Sequence, residues 1–184
     1  RMKIAIFCAF DTPATIEFAK ATVAYLEKKG HELTVDQRLM DHWLEKVKDF
    51  EAFDADATLS KDCKYLFSIG GDGTLLRSIP FVKDTEIPIL GINTGRLGFL
   101  TSLQKESLNE ALDKFFDEKF SLVKRSLLEV ELSPTSAEEI KFGYALNEIS
   151  INRKNTTAML SIATQIDREY LTTYWADGLI IATP

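Results

Sequence analysis

The segment Gly70-Gly71-Asp72-Gly73-Thr74 lies between the apolar run Tyr65–Ile69 and a helical pattern beginning at about Thr74. Glycines there let the backbone pass close to a ligand and expose amides at a helix start, which suits an anion such as phosphate. An aspartate among them would repel that anion unless it has a task of its own. Two tasks fit: taking a proton from a hydroxyl nucleophile, or helping to hold Mg²⁺. Arg77, one turn on, could face the same phosphate. A tight strand-to-helix turn with Asp72 as its cap explains the spacing equally well. The run matches neither a Walker A loop nor the Rossmann fingerprint.

Three more segments carry usable chemistry. Gly91-Ile92-Asn93-Thr94-Gly95-Arg96-Leu97-Gly98-Phe99-Leu100 again overuses glycine after a strand. Phe99 could wall a flat base, although an aromatic after a turn is more often core. Arg96 could meet phosphate or simply lie in solvent. Asn147-Glu148 interrupts the alternation of a strand; an amide beside a carboxylate can recognise a sugar diol, and an edge-strand polar pair is the plainer reading. Asp177-Gly178 before Leu179-Ile180-Ile181 sets an acid at a strand entry, or makes an ordinary turn.

The elements that must position these residues alternate through the first half. Residues 3–9 read as a buried strand, Thr15–Lys29 as an amphipathic helix (Ile16, Ala19, Val23, Leu26) and Leu33–Val35 as a strand. Met40–Phe50 reads as a charged helix, Tyr65–Ile69 as a strand and Thr74–Val82 as a helix that Pro80 kinks or ends. Pro88–Asn93 completes the series as a strand. Such alternation implies an open parallel sheet with ligands at the carboxyl ends of its strands. After a helix at Leu108–Phe116, the runs Leu122–Leu132, Ile140–Asn152, Leu160–Ile166, Tyr170–Trp175 and Gly178–Ala182 follow with no helix between them. Ser133-Pro134-Thr135-Ser136 turns between two of them. The reading is an α/β domain over residues 1–100 and a mostly antiparallel all-β domain over 101–184.

Composition agrees. The 184 residues carry 22 basic and 28 acidic side chains, a net charge of −6, with 45% hydrophobic and 27% charged residues, so disordered and collagen-like classes drop out. The longest apolar run is the seven residues from Ile4 to Phe10, short of a membrane span. The acidity argues against nucleic acid as a partner. No leader pattern opens the sequence, Arg1 before Met2 reads as a remnant, and the expected location is cytoplasmic. Cys8 and Cys63 read as buried small hydrophobes, and His31 and His42 as surface residues without metal-ligand spacing.

Together the four segments resemble the NAD kinases in order and approximate spacing, over nearly the whole chain. Diacylglycerol and sphingosine kinases carry a similar Gly-Gly-Asp-Gly-Thr run; Asn93–Leu100 with Asn147-Glu148 selects NAD kinase. The resemblance implies γ-phosphoryl transfer from ATP, or polyphosphate, to the 2′-hydroxyl of the adenosine ribose of NAD, with Mg²⁺ or another divalent cation. Asp72 is then the general base. Gly71 and Gly73 let NAD approach, Arg77 lies by the phosphates and Phe99 by a base. Asn147 and Glu148 hold a ribose, and Asp177 contacts the nicotinamide end. It further implies a site between the two domains, a homo-oligomer (dimer or tetramer) and no membrane partner. The family continues past Thr183-Pro184 with a Thr-Gly-Ser-Thr-Ala-Tyr run, so the β domain reads as truncated. A lipid kinase and a non-catalytic nucleotide-binding module are the alternatives. On this reading Asp72→Asn cuts turnover sharply and leaves NAD affinity within a few fold.

Overall fold

The computed structural model describes residues 1–8, 12–42, 50–54, 57–95, 98–101, 103–104, 108–132, 143–154 and 157–183. The chain divides into two compact units, Arg1–Val123 and Lys124–Pro184.

In the first unit the elements alternate as the periodicity requires: β1 (Lys3–Cys8), α1 (Pro13–Lys28), β2 (Glu32–Asp36), α2 (Gln37–His42), β3 (Glu51–Phe53), β4 (Cys63–Gly70), α3 (Asp72–Val82), β5 (Ile89–Asn93), β6 (Leu103–Gln104) and α4 (Leu108–Phe116). The strands form one parallel sheet in the order β3-β2-β1-β4-β5-β6. β1 is central and apolar on both sides. Ile4, Ile6 and Cys8 pack with Phe18, Val23 and Leu26 of α1 and Leu112 and Phe115 of α4. Ala5 and Phe7 pack in a second core with Phe81 and Val82 of α3. Helices therefore cover both faces, which is why β1 and β4 read as continuous apolar runs rather than as alternating ones.

Local chemistry sets the helix ends. Thr12 caps α1, its hydroxyl accepting the Thr15 amide at 3.3 Å ahead of Pro13, so the helix starts two residues before the expected Thr15. Ile16 is only half-buried, while Phe18 and Thr22 join the buried stripe. Thr22 gives its hydroxyl to the Phe18 carbonyl at 2.9 Å, which makes it tolerable in the core. α3 runs two residues past Pro80 and ends where Lys83 takes φ 47°. The helix expected over Met40–Phe50 instead begins at Gln37, because the Asp36 carboxylate accepts the Arg38 amide at 2.8 Å and starts the turn. Residues 43–49 lie outside the described set, and Phe50 belongs to no helix.

The expected boundary at residue 100 falls inside this unit. β6 pairs with β5 (Ile92 with Leu103), and Leu108, Leu112 and Phe115 belong to the same core as β1. Among the described residues no helix is long and apolar enough to cross a membrane.

The described residues of the second unit form three antiparallel pairs: β7 (Leu128–Glu129) with β8 (Tyr144–Ala145), β9 (Glu148–Asn152) with β12 (Gly178–Ala182), and β10 (Leu160–Ile166) with β11 (Glu169–Ala176). Asp167 and Arg168, with φ of 51° and 71°, turn β10 into β11 with the two positive values that match strand twist. Leu122–Leu132 contributes only two strand residues. Ile140–Asn152 breaks at Leu146-Asn147, its first three positions lying outside the described set, as does the turn cluster Ser133–Ser136. None of the described residues in this unit is buried. Trp175 and Tyr170 are among its exposed side chains.

Candidate functional site

The strand order reverses between β1 and β4, and open parallel sheets bind ligands outside the carboxyl ends of strands at such a point. β4 ends at Gly70, and α3 starts at Asp72. Gly70 has φ 150°, and a side chain on it would overlap that of Thr74. Gly71 occupies the cap position without any side-chain cap, and its carbonyl takes the Thr74 amide at 3.0 Å and the Leu75 amide at 3.2 Å. Among the described residues nothing lies within 4 Å of where a Cβ on Gly71 or Gly73 would stand, so on that side the first turn of α3 is open to approach. Its amides and helix dipole favour a negative group there. The Thr74 hydroxyl is buried with no hydrogen-bond partner among the described residues.

Asp72 does something that neither sequence reading named. Rather than capping its own helix, its carboxylate reaches the second glycine segment. Oδ2 accepts the Phe99 amide at 2.6 Å, and Oδ1 accepts the amides of Leu100 at 3.0 Å and Thr101 at 3.1 Å. The Thr101 hydroxyl adds a longer contact at 3.4 Å. Burial acts to raise this carboxyl, but the amides of Phe99, Leu100 and Thr101 outweigh it and hold the group below the usual carboxylate range. Asp72 is thus ionised at neutral pH. A Cβ on Gly98 would fall on the carboxylate itself, which accounts for that glycine.

The other side of the segment is held by Asn93, at the end of β5 and only 2% exposed. Its amide donates to the Thr101 hydroxyl at 3.1 Å, and its carbonyl oxygen accepts the Gly95 amide at 2.7 Å. Thr94 Oγ1 lies 3.3 Å from Thr15 Oγ1, which meets Thr12 Oγ1 at 2.8 Å, tying β5 to the start of α1. Phe99 is 99% exposed, so it is not the core aromatic that its position allowed. Arg77 is exposed on α3, and Arg96 and Leu97 lie outside the described residues. Thr101, Asn93 and Gly98 are the participants that sequence reasoning missed as a group. Only the surplus of glycine around them signalled a special backbone.

In the second unit Asn147 and Glu148 are exposed at one end of the β9–β12 pair. The Asn147 carbonyl accepts the Thr183 amide at 3.2 Å, and Glu148 stands opposite Ala182. Asp177 is at the other end, with its carboxylate 3.4 Å from Arg153 Nε and its carbonyl accepting the Arg153 amide. Five residue rises along the ribbon separate Asp177 from the level of Glu148, roughly 17 Å. The pair does not bring Asp177 to Asn147-Glu148; it spaces them along one ribbon. Among the described residues no three His, Cys, Asp or Glu side chains gather as a metal site. Of the Asp72 oxygens only Oδ2, with a single amide, keeps a position for a further partner, too few protein ligands to hold Mg²⁺ by themselves.

Residues 4–120 match the family model of the ATP-NAD kinase N-terminal domain. The chain is 41% identical over 186 residues to the NAD kinase of Christiangramia forsetii and 37% identical to that of Flavobacterium johnsoniae, in each case over all of this chain and 63% of the relative. It is 34% identical to the NAD kinase of Methanothermobacter thermautotrophicus, covering 61% of it. The chain thus spans less than two thirds of the length of these relatives. The crystal structure of yeast NADH kinase complexed with NADH has a TM-score of 0.81 at 21% identity, over 98% of this chain and 57% of that one, which establishes a shared fold.

Proposed function

Because the chain belongs to the NAD kinase family, we propose that the protein containing it transfers the γ-phosphoryl group of ATP to the 2′-hydroxyl of the adenosine ribose of NAD, giving NADP and ADP. One observation carries the reading: an ionised aspartate stands at the start of α3, beside an open first turn, at the switch point of a parallel sheet.

In this mechanism Asp72 accepts the proton of the 2′-hydroxyl as the ribose oxygen bonds to the γ-phosphorus, and the bond from that phosphorus to the bridging oxygen breaks to release ADP. Oδ2 is the acceptor, since it holds one amide where Oδ1 holds two. A carboxyl held below its usual range is a weak base, so it takes the proton late, once bonding of the ribose oxygen to phosphorus has made the hydroxyl more acidic. Gly71 and Gly73 admit the substrate to the α3 amides, and Arg77 lies by the phosphates. Phe99 walls a base. Asn147 and Glu148 take a ribose and Asp177 the nicotinamide end, and their spacing along β9 and β12 suits an extended dinucleotide. Mg²⁺ would neutralise charge on the ATP phosphates. The working protein is a cytoplasmic homo-oligomer.

The test is to incubate the full-length protein with NAD, ATP and Mg²⁺ and follow NADP⁺ with an NADP-specific dehydrogenase. Formation of NADP⁺ that depends on all three additions supports the reading; pure folded protein that forms none overturns it.

A further inference from the structure

The turn at residues 98–101 has little of its own to hold it. The Phe99 side chain is 99% exposed and anchors nothing, and the amides of Phe99, Leu100 and Thr101 belong to no strand pairing. All three point at one carboxylate, that of Asp72, at 2.6, 3.0 and 3.1 Å. Gly98 has no room for a side chain because the same carboxylate fills that space. Behind the turn, the Asn93 side-chain amide donates to the Thr101 hydroxyl, and the Thr101 Cα lies against Gly91 closely enough to exclude a side chain there. The turn is gripped on one side by Asp72 and backed on the other by β5.

We propose that Asp72 is, besides its part in proton transfer, the positioning residue for Phe99: its carboxylate clasps residues 98–101 and fixes the ring as a stacking face for the planar base of the bound nucleotide. This rests on the reading of Phe99 given above. It links two functions that the sequence keeps 27 residues apart. Substrate affinity then depends on Asp72 through Phe99, and Gly98 is required because the clasp needs its space. A carboxylate accepting several amides holds them more tightly than a neutral acceptor can.

The experiment uses the full-length protein and four variants: Asp72→Asn, Gly98→Ala, Phe99→Ala and the double variant Asp72→Asn/Phe99→Ala. Gly98→Ala breaks the clasp while leaving the carboxylate chemically intact. Amide hydrogen exchange is expected to speed up by about tenfold or more at Phe99 in Asp72→Asn and across residues 99–101 in Gly98→Ala, with the amides of β1 and α1 unchanged. Calorimetric NAD affinity is expected to fall by about tenfold in each single variant, and the double variant to bind no more weakly than Phe99→Ala alone. Unchanged exchange in Asp72→Asn overturns the clasp, whether or not Gly98→Ala folds. Additive losses in the double variant overturn the route through Phe99. A wild-type protein that binds no NAD would overturn the proposed function instead, and the exchange data would still decide the clasp.

Discussion

Replacing Asp72 by asparagine removes the charge and one acceptor oxygen while keeping the shape. Three backbone amides and a hydroxyl now share two oxygens. With its carbonyl in the place of Oδ1, the asparagine keeps Leu100 and Thr101 and turns an NH₂ group toward the Phe99 amide, which loses its 2.6 Å acceptor. Flipped, it keeps Phe99 and loses two amides, so the first arrangement wins. A hydrogen bond to a charged group is worth about 1.5–3 kcal/mol. Water can reach the amide of an exposed residue, so the lower end applies, which is about tenfold in dinucleotide affinity. Loss of a general base costs a further 10²–10⁴-fold, roughly, in turnover. The product is a fall in kcat/KM of about 10³–10⁵-fold, shared between both constants. The sequence alone led to an affinity change of a few fold, and the clasp is what enlarges it. Initial rates of NADP⁺ formation by the full-length variant, with NAD and ATP varied in turn, separate the two contributions. A variant whose kcat stays within tenfold of wild type would refute the base, and an unaltered KM for NAD would refute the clasp.

Other changes follow from the same geometry. Leu112→Ala empties a fully buried position in the core shared by β1, α1 and α4, and should cost about 2–5 kcal/mol in urea unfolding; a loss below 1 kcal/mol would mean that α4 is not packed as described. Gly70→Ala combines a φ of 150° with overlap onto Thr74, so about 2–5 kcal/mol of destabilisation is expected, and wild-type stability in the same assay would contradict that backbone. Burial, aided by the positive charges of the chain's amino terminus and Lys29, pushes the His31 imidazole below its ordinary pKa where it stacks on Phe116 at 4.4 Å. The unfolded chain therefore takes up the proton first as pH falls below about 6.5; the stability contributed by His31 is complete above that pH and declines beneath it. Thermal melting at pH 7.5 and pH 5 should show the decline in wild type and a smaller one in His31→Gln. Equal declines in the two proteins would exclude His31 as its source.

The elements that could be read from sequence are those with many residues in register with one period. β1, α1, β4, β5 and α4 each bury a face, and their apolar spacing says so. β3 and β6, of three and two residues, are too short to show any period, and pairing with β2 and β5 alone makes them strands. Leu122–Leu132 shows the opposite failure. It is apolar and β-prone, yet its described residues are mostly exposed and only Leu128–Glu129 finds a partner. α4 read correctly as a helix but was assigned to the wrong unit, since nothing local reveals that Leu112 and Phe115 pack under β1 and β4.

The chemistry divides in the same way. Residue type and local spacing determined that an aspartate sits among glycines between a strand and a helix, that a second glycine segment follows the next strand, and that the order of these pieces resembles the NAD kinases. Those are properties of neighbours along the chain, where backbone freedom and helix dipoles act over a few residues. Tertiary structure decided that the strand order reverses beside β4, so that the first glycine turn opens at a switch point. It also decided which donors surround Asp72, because its hydrogen-bond partners lie 27 to 29 residues away and only pairing of β4 with β5 brings them within 3.4 Å. A hydrogen bond depends on distance in space, and a single sequence records distance only along the chain.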